Sequence, residues 1–268
     1  MRSMRMFAAA ALAALGLFTT GCFDIEQSLT LDKDMSGKAG FTMKVDMEPM
    51  VGFMTRMQRE MQGKSGEPTK AELDATRKEM LASKKSETKG DFEKDRKELQ
   101  SKLPKGVTLL DSSFKEDGLQ IAANFLFGFD NASKLNQIKF PKKGQGEGEE
   151  GQPAGPPGTQ NPVESPFNGL QVVDEGKTIL VTSPAENPIA DSKEQAADMD
   201  LSPEAKKQME DMFKGLRVAF KITAPFEVVE HNAHRKEGNT LIWEYDLKSL
   251  EKMKPEQLAQ GVRVRYKK

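Results

Sequence analysis

The chain has 268 residues, with 41 acidic against 40 basic side chains and a formal net charge of −1. That balance gives no electrostatic case for nucleic acid, which calls for a concentrated positive patch. One cysteine in the whole chain excludes a disulfide framework and a cysteine-rich metal site.

Met1-Arg2-Ser3-Met4-Arg5 is a short cationic start, and Phe7 to Phe18 is an apolar run of 12 residues. A membrane-crossing helix needs about 20 residues. Twelve suits the core of a secretory signal. Thr19, Thr20 and Gly21 then lead to Cys22. This pattern resembles the bacterial lipoprotein signal, which implies cleavage between Gly21 and Cys22 and diacylglyceration of the Cys22 sulfur. The alternative is an ordinary signal cut nearby that leaves Cys22 a free thiol. Loss of residues 1–21 takes Arg2 and Arg5 away and shifts the net charge to −3. Each buried methylene of an acyl chain contributes about 0.8 kcal/mol, so two or three chains anchor firmly. Phe23 directly after Cys22, followed by Asp24, resembles an outer-membrane rather than an inner-membrane address.

Beyond Cys22 the strongest pattern is alternation. Ile25, Leu29 and Leu31 fall opposite Glu26, Ser28 and Thr30, and Phe41, Met43, Val45 and Met47 opposite Thr42, Lys44 and Asp46. Period two on both sides of the turn "DKDMSG" predicts a half-buried hairpin. "VTLLDSSF" and "LQIAANFLFGF" around "KEDG" predict a second, and "LQVVDEGKTILVT" a third. "RVAFKITAPFEVVEH" and "TLIWEYDL" around "RKEGN" predict a fourth, and "GVRVRYK" a last strand.

Helices are expected between the hairpins. Pro49 suits the start of one. Thr69 and Glu72 form a capping box ahead of a charged helix that breaks near Gly90 and resumes to Leu103. Asn131 to Ile138, Glu204 to Leu216 and Leu247 to Ala259 complete the set. The stretch 142–166 is rich in Gly, Pro, Gln and Glu and reads as a disordered loop. Hairpins with intervening helices predict an α+β fold, an antiparallel sheet with helices on one face. The expected organisation is a signal peptide 1–21 and one domain 22–268, carrying a charged helical insertion 69–103 and the loop 142–166.

Candidate binding residues come from two places. Met47, Met50, Met54, Met57 and Met61 form one helical stripe. Flexible, polarizable methionines suit lipid tails or another apolar ligand, and they suit a core equally. Trp243, the only tryptophan, stands near Tyr245 in the most distinctive segment and is the other candidate. The helices of 69–103 are either a solvated arm with pairs such as Glu93–Lys97 or a surface that docks an envelope protein. His231 and His234, with Glu227 or Glu230, are the one conceivable metal set. On a strand, residues three apart face opposite ways, so no metal is assigned. No nucleophile elbow, phosphate loop or clustered Ser/His/Asp spacing points to catalysis, so no catalytic residue and no cofactor are expected.

"GCFDIEQSLTLDKDMSGKAGFTMKV" at one end and "ITAPFEVVEHNAHRKEGNTLIWEYDL" at the other resemble LppM-type bacterial lipoproteins. The matching positions are Cys22, Asp24, Asp34, Ser36, Gly37, Pro225, Asn232 and Trp243. The resemblance implies an α+β fold with a cavity for a lipid or glycolipid, and no catalytic residues. The expectation is therefore a membrane-anchored, non-enzymatic binding lipoprotein. A structural lipoprotein that docks a partner, and a metal-dependent hydrolase, are the alternatives. Geometry sharpens the first reading. A chain spans at most about 3.6 Å per residue, so a strand starting at Asp24 or Ile25 holds the domain against the membrane.

Overall fold

A computed structural model describes residues 23–84, 89–140, 166–185, 207 and 213–268. The expected signal peptide, Cys22, nearly all of the stretch 142–166 expected as a loop and most of the helix expected from Glu204 lie outside these. Pro166, the last residue of that loop, is buried and opens a turn.

The alternation seen in the sequence becomes β1 (Phe23–Leu31) and β2 (Gly37–Asp46), paired antiparallel from Phe23↔Val45 to Leu31↔Gly37. In the turn, Asp34 accepts hydrogen bonds from both the backbone and the hydroxyl of Ser36. β3 (Val107–Asp117) and β4 (Gln120–Phe129) form the second hairpin, and β4 pairs with β2. The chain reverses at Gly118–Leu119, later than the "KEDG" reading placed it, because β3 keeps its pairing through Asp117. Phe125, Phe127 and Phe129 alternate inward on β4 and form part of one large core. Each buried side chain of that size contributes roughly 1.5–3 kcal/mol.

Seven strands make the main sheet, in the order β3-β4-β2-β1-β7-β10-β9. Here β7 is Arg217–Thr223, β9 is Arg235–Glu237 and β10 is Thr240–Asp246. The sheet is antiparallel except at one junction: β1 and β7 run parallel, from Asp24↔Arg217 to Thr30↔Thr223. The segments on either side of the 142–166 loop thus share one sheet.

The expected fourth hairpin is rearranged. β7 pairs with β10, but the chain between them leaves the sheet. After Ala224-Pro225-Phe226 it runs as β8 (Glu227–His231) into a second sheet of order β5-β6-β11-β8. Proline lacks an N–H and cannot continue a central ladder, so the break falls there. β5 (Gln171–Asp174) and β6 (Thr178–Ser183) are the third hairpin. The closing strand β11 (Val262–Lys267) pairs with β6 and β8, not with the main sheet. The two sheets meet in one cluster of buried side chains.

Helices follow the strands. α1 (Glu48–Met61) carries Pro49 in its first turn. α2 (Lys70–Lys84) packs on α1 through a hydrogen bond between the buried hydroxyls of Thr55 and Thr76, 2.9 Å. α3 (Lys89–Lys102) resumes before Gly90, so the break lies earlier than expected. A glycine is tolerated in a first turn, where the N–H groups have no intrahelical partner. α3 is no solvated arm. Phe92 stacks on Phe114 with centroids 5.3 Å apart, and Leu99 is 1% exposed. Its Glu93 pairs with Arg96 at 2.9 Å rather than with Lys97. A 3-10 helix (Ala132–Gln137) and two short helices, α4 (Leu247–Lys252) and α5 (Pro255–Gln260), complete the described elements.

The capping box at α2 is present as the sequence predicts. The Glu72 carboxylate accepts from the backbone and hydroxyl of Thr69, both at 2.8 Å, and pairs with Arg59 at 2.7 Å. These Thr69 bonds, then Arg59, hold its pKa down at about 2. A carboxylate depressed in the folded state stabilises above its unfolded pKa, and that contribution disappears as pH falls through the folded value. Carboxyl NMR titration is expected to give a Glu72 midpoint near 2, moved up into the ordinary glutamate range by Thr69→Val.

Asn232 ties the two sheets. Its Oδ1 accepts from Trp243 Nε1 (2.7 Å) on β10 and from Arg263 N (2.8 Å) on β11, and its Nδ2 donates to Gly261 O (2.8 Å). Asn232→Ala leaves the indole N–H of a wholly buried tryptophan without a partner. The expected cost is about 2–3 kcal/mol, read as a lower urea midpoint with unchanged m-value.

Candidate functional site

The end of the main sheet where β1 begins gathers most of the residues the sequence singled out. Gly21 and Cys22 lie just outside the described residues. Phe23, the residue after Cys22, is already the first of β1, and β1 is an interior strand. No linker separates the cysteine from the fold.

The inward face is closed at one end of the sheet and half-open at the other. Leu29, Leu31, Ala39, Phe41, Phe127 and Phe129, toward the β1–β2 turn, are buried. Phe23, Ile25, Met43, Val45 and Ile121, toward Cys22, are only partly so. Registers Phe23↔Val45↔Ile121 and Ile25↔Met43↔Ala123 place them in adjoining rows. Phe23 stacks on Phe213 with centroids 5.4 Å apart. The result is a partly exposed apolar end of the sheet at the start of β1.

α1 leaves β2 at the same end. Of its methionine stripe, Met50 and Met57 pack against the core beside buried Phe53. Met54 is half-buried, and Met61 is 82% exposed at the helix end. Trp243, by contrast, is 0% exposed and its one donor is taken by Asn232. It braces the two sheets and presents no surface to a ligand.

A pocket without charged side chains opens two strands away from β1. It has a volume of about 280 Å³ and is walled by Asn232, His234, Tyr245, Ser249, Met253, Gln257, Gln260 and Gly261. β10 brings Tyr245 to it, in the row Ile25↔Val218↔Tyr245. α4 brings Ser249, whose side chain is held in a capping box with Asp246 at 2.8 Å. Gly261, at φ 39°, ends α5; a Cβ there would lie 2.3 Å from Ser183 O and Ala185 N, so only glycine lets the chain pass. His234 stands where β9 stops pairing with β10. Its Nδ1 is 3.1 Å from Glu244 N and 3.0 Å from Glu244 O, closing that strand edge. Its ring meets Tyr245 edge-on at 5.0 Å, and burial raises the Tyr245 pKa. His231 Nδ1 accepts from Ala233 N, 3.1 Å. Among the described residues no group of three or more His, Cys, Asp or Glu gathers as metal ligands.

The opposite face carries an ion network that the sequence reading missed. Arg217, the first residue of β7, reaches Glu244 (2.5 Å) and Asp24 (2.7 Å), with Glu26 at 3.4 Å. Lys221 pairs with Glu26 at 2.8 Å and Arg235 with Glu244 at 3.3 Å. Burial alone lowers the Arg217 pKa, but the bonds to Glu244 and Asp24 outweigh it and raise it. The Arg217 hydrogen bond in turn lowers Glu244.

No family model matches the chain, and no curated protein matches it. Among solved structures it is similar to the NMR structure of the folded domain of LppM from Mycobacterium tuberculosis. The identity is 10%, the match covers 94% of each chain, and the TM-score is 0.40. The likeness is a distant one. Among the described residues no helix is long and apolar enough to cross a membrane.

Arg217→Met leaves Asp24 without its cation and takes one of two from Glu26 and Glu244. The expected loss is about 1–3 kcal/mol, below the cost of breaking a fully buried pair because the network is partly solvated. The sign with pH follows from Glu244. Its folded pKa is depressed, so wild type loses that stabilisation as pH falls through it, and the variant loses less. Urea midpoints for both proteins from neutral to acid pH are expected to converge.

Proposed function

We propose that this chain is a lipid-anchored envelope lipoprotein, with no catalytic role, that binds a lipid, glycolipid or other apolar ligand at the membrane surface. The observation that carries the reading is the start of β1 at Phe23, directly after the cysteine of a lipoprotein-like signal. An acylated Cys22 leaves no tether. At no more than about 3.6 Å per residue, the body lies against the leaflet with one end down. The partly exposed apolar side chains at that end support a role with acyl chains. Phe23 and Asp24 after Cys22 favour the outer membrane. The partner-docking alternative is weakened by α3, whose Phe92 and Leu99 are spent on the core. The hydrolase alternative is weakened by His234, whose Nδ1 is engaged with backbone.

Two measurements test the anchor and the orientation. Wild type is expected in the membrane fraction with a diacylglyceryl mass on an N-terminal peptide starting at Cys22, and Cys22→Ala in the soluble fraction. Equal partition of the two, or an unmodified cysteine, overturns the anchor. Spin labels at Glu48→Cys and Lys33→Cys mark opposite ends of β1, about 30 Å apart along the strand. Lipid contact is expected at the first position and not at the second; equal mobility at both removes the fixed orientation.

A further inference from the structure

We propose that the pocket between β10, α4 and α5 binds an uncharged, hydroxyl-rich ligand about the size of one sugar ring. This rests on the pocket itself and stands whether or not Cys22 is acylated.

Size comes first. A volume of about 280 Å³ lies at the lower end of ligand pockets, which run roughly 300–1,000 Å³, so the occupant is a single ring rather than a chain. Charge comes second. None of the eight lining residues is Asp, Glu, Lys or Arg. An ion would enter without a counter-charge and pay its desolvation in full.

The free hydrogen-bonding groups decide the class. Tyr245 is 4% exposed, yet its hydroxyl makes no hydrogen bond among the described residues and its side chain lines the pocket. The oxygen itself stays open to the pocket, where water or a ligand meets it. Three exposed wall residues keep hydrogen-bonding atoms that the fold does not use. Gln257 uses Oε1 on Lys254 N (2.9 Å), leaving its amide N–H groups. When His234 Nδ1 accepts from Glu244 N, the ring proton sits on Nε2, where no group among the described residues takes it. Gln260 keeps its whole amide. Planar amides that can meet two neighbouring oxygens, beside an imidazole that can meet one, suit vicinal hydroxyls.

The mature chain, purified in a phosphocholine detergent, is titrated with glucose and with N-acetylglucosamine and followed by amide NMR. Saturable shifts are expected at Asn232, Tyr245, Gln257, Gln260 and Gly261. Tyr245→Phe removes one unpartnered oxygen and leaves the packing, and Gln260→Ala alters an exposed side chain. Each is expected to weaken binding at least ten-fold while the rest of the spectrum stays unchanged. A parallel arm uses vesicles carrying a glucosyl diacylglycerol. Binding in the free-sugar arm alone assigns a soluble source, and binding in both arms assigns a headgroup; both support the pocket. No shift with either sugar or the vesicles, or equal affinity in both variants, overturns it.

Discussion

The parallel pairing of β1 with β7 is the constraint on which the rest of the structure depends. β1 takes β2 on one side through a short turn, and β7 on the other from a partner 193 residues away at the Asp24–Arg217 contact. Loop-closure entropy grows only slowly with length, so the distance is affordable, but such non-local contacts form late. A parallel pair has no hairpin turn to fix its register, and a slip by one residue sends every side chain to the wrong face. Arg217 supplies the missing reference. It stands opposite Asp24, reaches toward Glu26 two residues on, and bonds Glu244 of the next strand. With the charges pinned on one face, Ile25, Val218 and Tyr245 turn inward together.

Much of the strand content was legible because period two tells which face a residue occupies. Every run with that period is a strand, and Leu29, Phe41, Phe127 and Trp243 are as buried as the pattern implies. Alternation says nothing about the neighbour across the ladder. That is why β8 was read as part of the fourth hairpin, and why the second sheet and the parallel junction were invisible. Pro225 was the available signal for the first error. α3 was misjudged for a related reason: Phe92 and Leu99 lie seven residues apart on one face, but the surrounding charges hid so narrow a stripe.

The site was less legible than the fold. Cys22 and the abrupt start of β1 are local facts, and the sequence displays them. The pocket is assembled by topology. Gln257 and Gln260 look like any solvated helix face until Gly261 turns β11 back beside β6. Trp243 drew the eye as the rarest residue, whereas Tyr245, two positions on and inward on the same strand, faces the pocket.

That exchange of roles has a physical cause. Trp243 has one donor, and Asn232 takes it, so the indole is committed to joining the sheets. The same Asn232 also receives Arg263 N and bonds Gly261 O, which fixes the wall of the pocket from behind. Glu244 N anchors His234 from a second side, and the Asp246–Ser249 cap fixes α4 from a third. Asn232, His234, Ser249 and Gln257 are thus each held by side-chain hydrogen bonds to the fold. Groups held this way keep their position without a ligand, so binding costs little side-chain ordering. The Tyr245 hydroxyl meanwhile stays open to the pocket with no partner among the described residues, free to meet a ligand.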